Sequence, residues 1–137
     1  MIDKKTESDI KSVRDLIEIW AKFHSVYNDI TSKEIISKEM EDKFLEEKLM
    51  VASKYDELRS GLDFKYVPHG RLTDPVSDIL AMDNIRFISE KNIKKIGDDW
   101  RDSYIFLNNI FERLKNKKRR LEEFSTVGVF LKKMFSR

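Results

Sequence analysis

Apolar residues recur every three or four positions through most of the chain, the spacing that gathers them on one face of an α-helix. Between Glu7 and Ile30 the stripe is Ile10, Val13, Ile17, Trp20 and Tyr27, widened by Leu16, Phe23 and Ile30, which predicts a helix over about 7–30. Continuing the frame would put Thr31, Glu34, Lys38 and Glu41 in the seam, so a turn is expected near residue 31. Thr31 and Glu34 have capping-box spacing, in which a hydroxyl and a carboxylate each satisfy a free backbone N–H, and they predict a second helix over 32–62. Its seam is Met40, Phe44, Val51, Tyr55, Leu58 and Leu62.

Gly61, Pro68 and Gly70 then interrupt the pattern, and residues 63–74, DFKYVPHGRLTD, read as a loop. Asp74 before Pro75 is a helix start, a side-chain acceptor followed by a residue that needs no N–H partner. Apolar spacing carries a third helix over 75–96. In KKIGDDW two cations precede a glycine and two acids follow it, the order of one helix ending and another beginning, so a fourth helix is expected over 98–124. A competing reading is one long helix, because a single heptad frame passes Gly97 unbroken: Ile93, Ile96, Trp100, Ser103, Leu107, Ile110, Leu114, Lys117, Leu121, Phe124. After Ser125 and Thr126, Val127, Phe130, Leu131, Met134 and Phe135 share one helical face. The expected fold is therefore all-α: an antiparallel four-helix bundle with coiled-coil-like packing over 1–124, and a short amphipathic C-terminal helix over 125–137.

Composition agrees with long helices, since 40% of residues are hydrophobic and 38% charged while only four are glycine and two proline. The chain has no cysteine, which removes disulfides, thiolate metal sites and cysteine nucleophiles and is compatible with a reducing cytoplasm. The opening MIDKKTESDIK is polar where a signal peptide is apolar, and no stretch of about 18 apolar residues occurs that would span a bilayer. A cytoplasmic location, or a peripheral one at a membrane surface, is the expectation. Charge is distributed unevenly: Lys and Arg against Asp and Glu number 11 to 14 in residues 1–62, 7 to 9 in 63–112 and 9 to 2 in 113–137. An acidic body thus carries a basic end, a pattern that points to an interaction segment.

Candidate chemistry is sparse. His24 sits in the first seam between Trp20 and Tyr27, where imidazole can serve as ligand or base but is more simply a hydrogen-bonded interface residue. A di-iron bundle needs Glu three residues before its histidines, and here those positions hold Ala21 and Tyr66. Glu39 with Asp42 and Asp99 with Asp102 have the spacing of oxygen ligands for a divalent cation, the basis for a metal-dependent phosphohydrolase reading. Tyr66, His69 and Arg71 surround a Pro-x-Gly turn, either as an anion-binding loop or as an end cap. No phosphate loop, nucleotide fingerprint, zinc spacing or nucleophile elbow is present, so no cofactor is expected and catalysis is the weaker class.

The basic end is the sharper feature. Lys117, Lys118, Arg119 and Arg120, with Phe130, Leu131, Lys132, Lys133, Met134 and Phe135, are the expected interaction residues. A helix of eleven residues is marginal alone in water and has to dock to be ordered. Its partner is expected to be its own bundle, a second copy in a homo-oligomer or another protein; an anionic membrane surface is the alternative. Nucleic acid is disfavoured, since 113–123 lacks the aromatic platform that stacks bases and the rest of the molecule is acidic. The sequence thus points to a non-catalytic interaction or assembly protein.

Overall fold

A computed structural model of the chain describes residues 4–62 and 74–135, with their side chains as far as residue 123. It is all-α, with four helices and no strand among the described residues: α1 (Lys4–Thr31), α2 (Lys38–Gly61), α3 (Pro75–Leu80) and α4 (Glu90–Phe135). Three helices are long and one has six residues.

The other two long helices both run antiparallel to α1. Lys5 Nζ donates to the Gly61 carbonyl at 2.9 Å while the Phe23 and Phe44 rings stack at 5.1 Å, so α2 returns along α1. Glu7 meets Lys118 at 3.5 Å, Trp20 Nε1 donates to Ser103 Oγ at 2.8 Å, and His24 meets Tyr104 at 3.0 Å, so α4 also returns along α1. The core between them is Val13, Leu16, Trp20, Phe23, Tyr27 and Ile30 of α1, Phe44, Val51, Tyr55 and Leu58 of α2, and Trp100, Leu107, Ile110 and Leu114 of α4. Most of the apolar positions read from the sequence are buried, with Ile10, Ile17, Met40 and Ile96 partly so. The α4 seam is covered without a gap from Trp100 to Leu114, including Ser103, while Ile93 and Leu121 toward its ends are exposed.

Four boundaries differ from the sequence expectation. Thr31 turns its hydroxyl back to the Tyr27 carbonyl at 2.7 Å, closing α1 instead of capping α2. The N-cap of α2 is Ser37, whose hydroxyl accepts from Met40 N at 3.2 Å, so α2 starts at Lys38 and not near 32.

The helix expected over 75–96 ends at Leu80. Asp74 caps it as anticipated, accepting from Ser77 N at 2.8 Å. Beyond Ala81, however, Asp83 and Asn84 are poor helix formers, and α2 takes the backbone groups that would have continued the ladder. Glu41 Oε2 accepts the N–H of Ile85 at 3.0 Å and of Arg86 at 3.1 Å, and Lys48 Nζ donates to the Met82 carbonyl at 2.6 Å. Residues 81–89 form a strap along α2, which together with α3 fills the flank assigned to a third long helix. Val76, Ile79 and Ile85 are its buried anchors.

α4 then starts at Ser89, whose side chain accepts from Asn92 N at 3.3 Å, and passes through Gly97 without a break. The charges that resembled two helix termini are side-by-side pairs on one helix: Lys95 with Asp99 at 3.8 Å, and Arg101 with Asp98 and Asp102 at 3.5 Å each. No boundary occurs near 125 either, since the helix continues to Phe135.

Candidate functional site

Where α1, the strap and α4 converge, aromatic residues gather around His24. The imidazole stacks on the Trp100 ring at 4.2 Å and 18°, and its Nδ1 lies 3.0 Å from the Tyr104 hydroxyl. Trp100 also contacts Trp20 at 5.0 Å and Tyr27 at 5.5 Å. Burial disfavours charge on every titrating member: it pushes the His24 pKa below its ordinary value and those of Tyr27 and Tyr104 above theirs. Tyr104 therefore keeps its proton and His24 is neutral near pH 7. The Tyr104 hydroxyl has no acceptor other than Nδ1 among the described residues, so the pair is satisfied when Tyr104 donates to Nδ1 and the imidazole carries its own proton on Nε2.

This cluster forms one wall of a half-enclosed cleft of about 550 Å³. The apolar side continues through Ile36, Ile85, Ile88 and Ile93. Polar groups reach it from the last turn of α1 and the turn that follows, namely Asn28, Lys33 and Glu34, and from Arg86 and Arg101. Of the exposed large apolar side chains, Ile93 lines the cleft.

Glu41 holds the strap side of this wall. Its pKa is lowered, first by the backbone N–H of Ile85 and then, against the cost of burial, by the backbone, charge and side chain of Arg86. Arg86 Nε stands 3.3 Å from Glu41 Oε1, an ion pair whose angle does not qualify as a hydrogen bond. Trp100 Nε1 is likewise buried without an acceptor among the described residues, whereas Trp20 Nε1 has Ser103.

The residues singled out in the sequence are placed as follows. Glu39 and Asp42 are exposed on α2, and Asp99 and Asp102 pair with Lys95 and Arg101 on α4. No group of three or more His, Cys, Asp or Glu side chains comes together among the described residues, so these four are not assembled into a metal centre. The carboxyl of Asp99 is held above its usual range by burial, opposed by Lys95 and reinforced by Asp78 of α3, which reflects helix packing.

On the basic run, Lys118 pairs with Glu7 of α1 and with Glu122 at 3.9 Å, and Arg119 donates to Asn116 at 2.9 Å. Lys117 is half-buried and Arg120 exposed. Phe130, Leu131, Lys132, Lys133, Met134 and Phe135 belong to the last turns of α4, and their side chains, like the loop residues Tyr66, His69 and Arg71, lie outside the described residues. No described helix is long and apolar enough to cross a membrane.

Sequence reasoning found His24 but missed its setting. The cleft needs Arg86 from a stretch read as helix, and Glu41 appeared only as a misfit in the seam of α1. That misfit was the available signal, since a carboxylate on the buried face of a helix needs partners from elsewhere. Comparison of the chain with protein-family profiles, curated proteins and solved structures found no match.

Proposed function

We propose that the protein is a non-catalytic helical assembly protein, an antiparallel bundle that self-associates by docking the end of α4 on the outer face of α2 in a second copy. The observation that carries this reading is the length of α4. Glu7 faces Lys118, so Lys4 stands level with about residue 121, and α4 continues to Phe135, some 14 residues or about 21 Å farther. That projection holds the basic amphipathic stretch with Val127, Phe130, Leu131, Met134 and Phe135. Among the described residues neither α1 nor α2 extends alongside this stretch, which supports a partner molecule as its cover.

The outer face of α2 is suited to receive them. Leu49 and Met50 are 68% and 64% exposed, and a shallow apolar groove beside Leu49 runs past Ala52, Ser53, Asp56 and Glu57 to Gly61. Acids along this face complement Lys132 and Lys133, and complementary charge sets both orientation and encounter rate. Light scattering of the full chain is expected to give an oligomer that dissociates in Leu49→Glu/Met50→Glu and in Lys132→Glu/Lys133→Glu. A monomer at every concentration, or an oligomer unaffected by both double variants, would sink the proposal; a monomer that binds anionic vesicles in low salt would favour the membrane-surface reading.

A further inference from the structure

The cleft around His24 is at the opposite end of α1 from the α4 projection and needs a separate account. Its floor is aromatic and its volume of about 550 Å³ is in the range of small-molecule sites. Arg101 is paired with Asp98 and Asp102, but several other polar groups remain available. Lys33 Nζ, the Asn28 carboxamide and His24 Nε2 have no partner among the described residues. Arg86 is held through Nε, and none of the described hydrogen bonds uses its two terminal amino groups. The cleft therefore offers hydrogen-bond donors beside an aromatic surface, with Glu34 as its only carboxylate. Three lining cations, Lys33, Arg86 and Arg101, argue against a cage for a cationic ligand, which aromatic walls alone would have allowed.

We infer that this cleft binds a small planar ring bearing a carboxylate or phosphate. The ring occupies the side formed by Tyr27, Ile88, Trp100 and Tyr104, and the oxyanion is met by Lys33, Arg86 and the Nε2–H of His24. Charge-assisted bonds from a fork-shaped guanidinium and an ammonium suit an oxyanion, while a neutral imidazole adds a donor without requiring protonation of a buried group.

Gly97 provides the decisive variant. It lines the cleft on a regular helical turn of α4, and a Cβ added there meets nothing within 4 Å. Gly97→Leu therefore places a side chain in the cleft while favouring the helix. The experiment follows the two tryptophan indole resonances by NMR on the full chain, titrating 2-naphthoate and adenosine monophosphate, with 2-naphthalenemethanol, adenosine and inorganic phosphate as controls.

At least one charged ring is expected to saturate with a Kd below about 1 mM, and its uncharged counterpart and phosphate to bind at least about tenfold more weakly. Lys33→Gln, at an exposed site outside the core, should weaken the charged ring severalfold and leave the uncharged one unchanged. Gly97→Leu should abolish binding with the helical spectrum intact. Absence of binding by both charged rings, equal binding of their neutral counterparts, no effect of Lys33→Gln, or full binding by Gly97→Leu would each overturn the inference. None of these outcomes bears on the oligomer, which is read separately by light scattering.

Discussion

Replacing Glu41 with glutamine tests whether a single carboxylate holds the strap out of the helical ladder. Glu41 is 7% exposed, and its Oε2 accepts two backbone hydrogen bonds at 3.0 and 3.1 Å, one of them from the fully buried Ile85. Hydrogen bonds to a charged group contribute about 1.5–3 kcal/mol each, roughly twice a neutral one. Glutamine keeps a carbonyl oxygen in place of Oε2, so about half of the two bonds is lost, near 2 kcal/mol. The Arg86 pair adds little, because the Arg86 side chain is 33% exposed and solvent screens it. Relief of the burial cost of the charge offsets part of the loss. The net expectation is a destabilisation of about 1–2 kcal/mol, or about 4–8 °C in Tm for a chain of this size.

Urea unfolding followed by circular dichroism at pH 7 measures it. The folded pKa of Glu41 lies below the ordinary carboxylate value, so its stabilisation is complete above that value and is lost as pH falls through the lower folded pKa. The gap between wild type and Glu41→Gln should therefore narrow in acid. A variant within about 0.3 kcal/mol of wild type at pH 7, well under the bond energies above, would show that the strap is held by its apolar anchors alone.

Two further substitutions probe the core and α4. Trp20→Phe removes a buried hydrogen bond to Ser103, while Trp100→Phe removes an indole N–H that has no acceptor among the described residues. Thermal unfolding should find the first more destabilising than the second by about 2 kcal/mol, the sum of a lost bond and a relieved orphan donor. Gly97→Ala should raise stability by about 0.5–1 kcal/mol, since alanine is the better helix former and its Cβ has open space; a loss on denaturant unfolding would mean that α4 bends at this position.

What the sequence made legible was periodicity. The stripes of α1, α2 and α4 are buried where the spacing put them because a 3.6-residue repeat is a local property that tertiary contacts reinforce. Val13 through Ile30, Phe44 through Leu62 and Trp100 through Leu114 needed nothing else. The boundaries were decided by competition that one segment cannot show. Thr31 and Ser37 are both competent caps, and only the packing of α2 selects Ser37. Ile85 and Arg86 look helical until Glu41, 44 and 45 residues away in sequence, takes their N–H groups. The cleft was illegible for the same reason, since it joins the end of α1, the strap and the start of α4.

The two surfaces left incomplete by this fold arise from one feature. Because the strap replaces a third long helix, α4 is the longest element and extends beyond its neighbours, and the flank near Gly97 is covered by irregular chain instead of a helix. A regular four-helix bundle of equal helices would cover Trp100 and Tyr104 with a ridge of side chains and would end flush near residue 121. Here the aromatic cluster opens into a cleft at one end, and at the other α4 runs on past the described ends of α1 and α2. A strap held by a few polar contacts with α2 is also less costly to move than a packed helix, since the free energy of local opening follows the number of buried contacts broken. Loosening it in Glu41→Gln should therefore alter the cleft while leaving the proposed assembly through α4 and α2 unchanged. Amide exchange at Ile85 and Arg86, measured beside light scattering on the same variant, would separate the two: faster exchange with an unaltered mass is the expected pair, and a change in mass would show that strap and assembly are one unit.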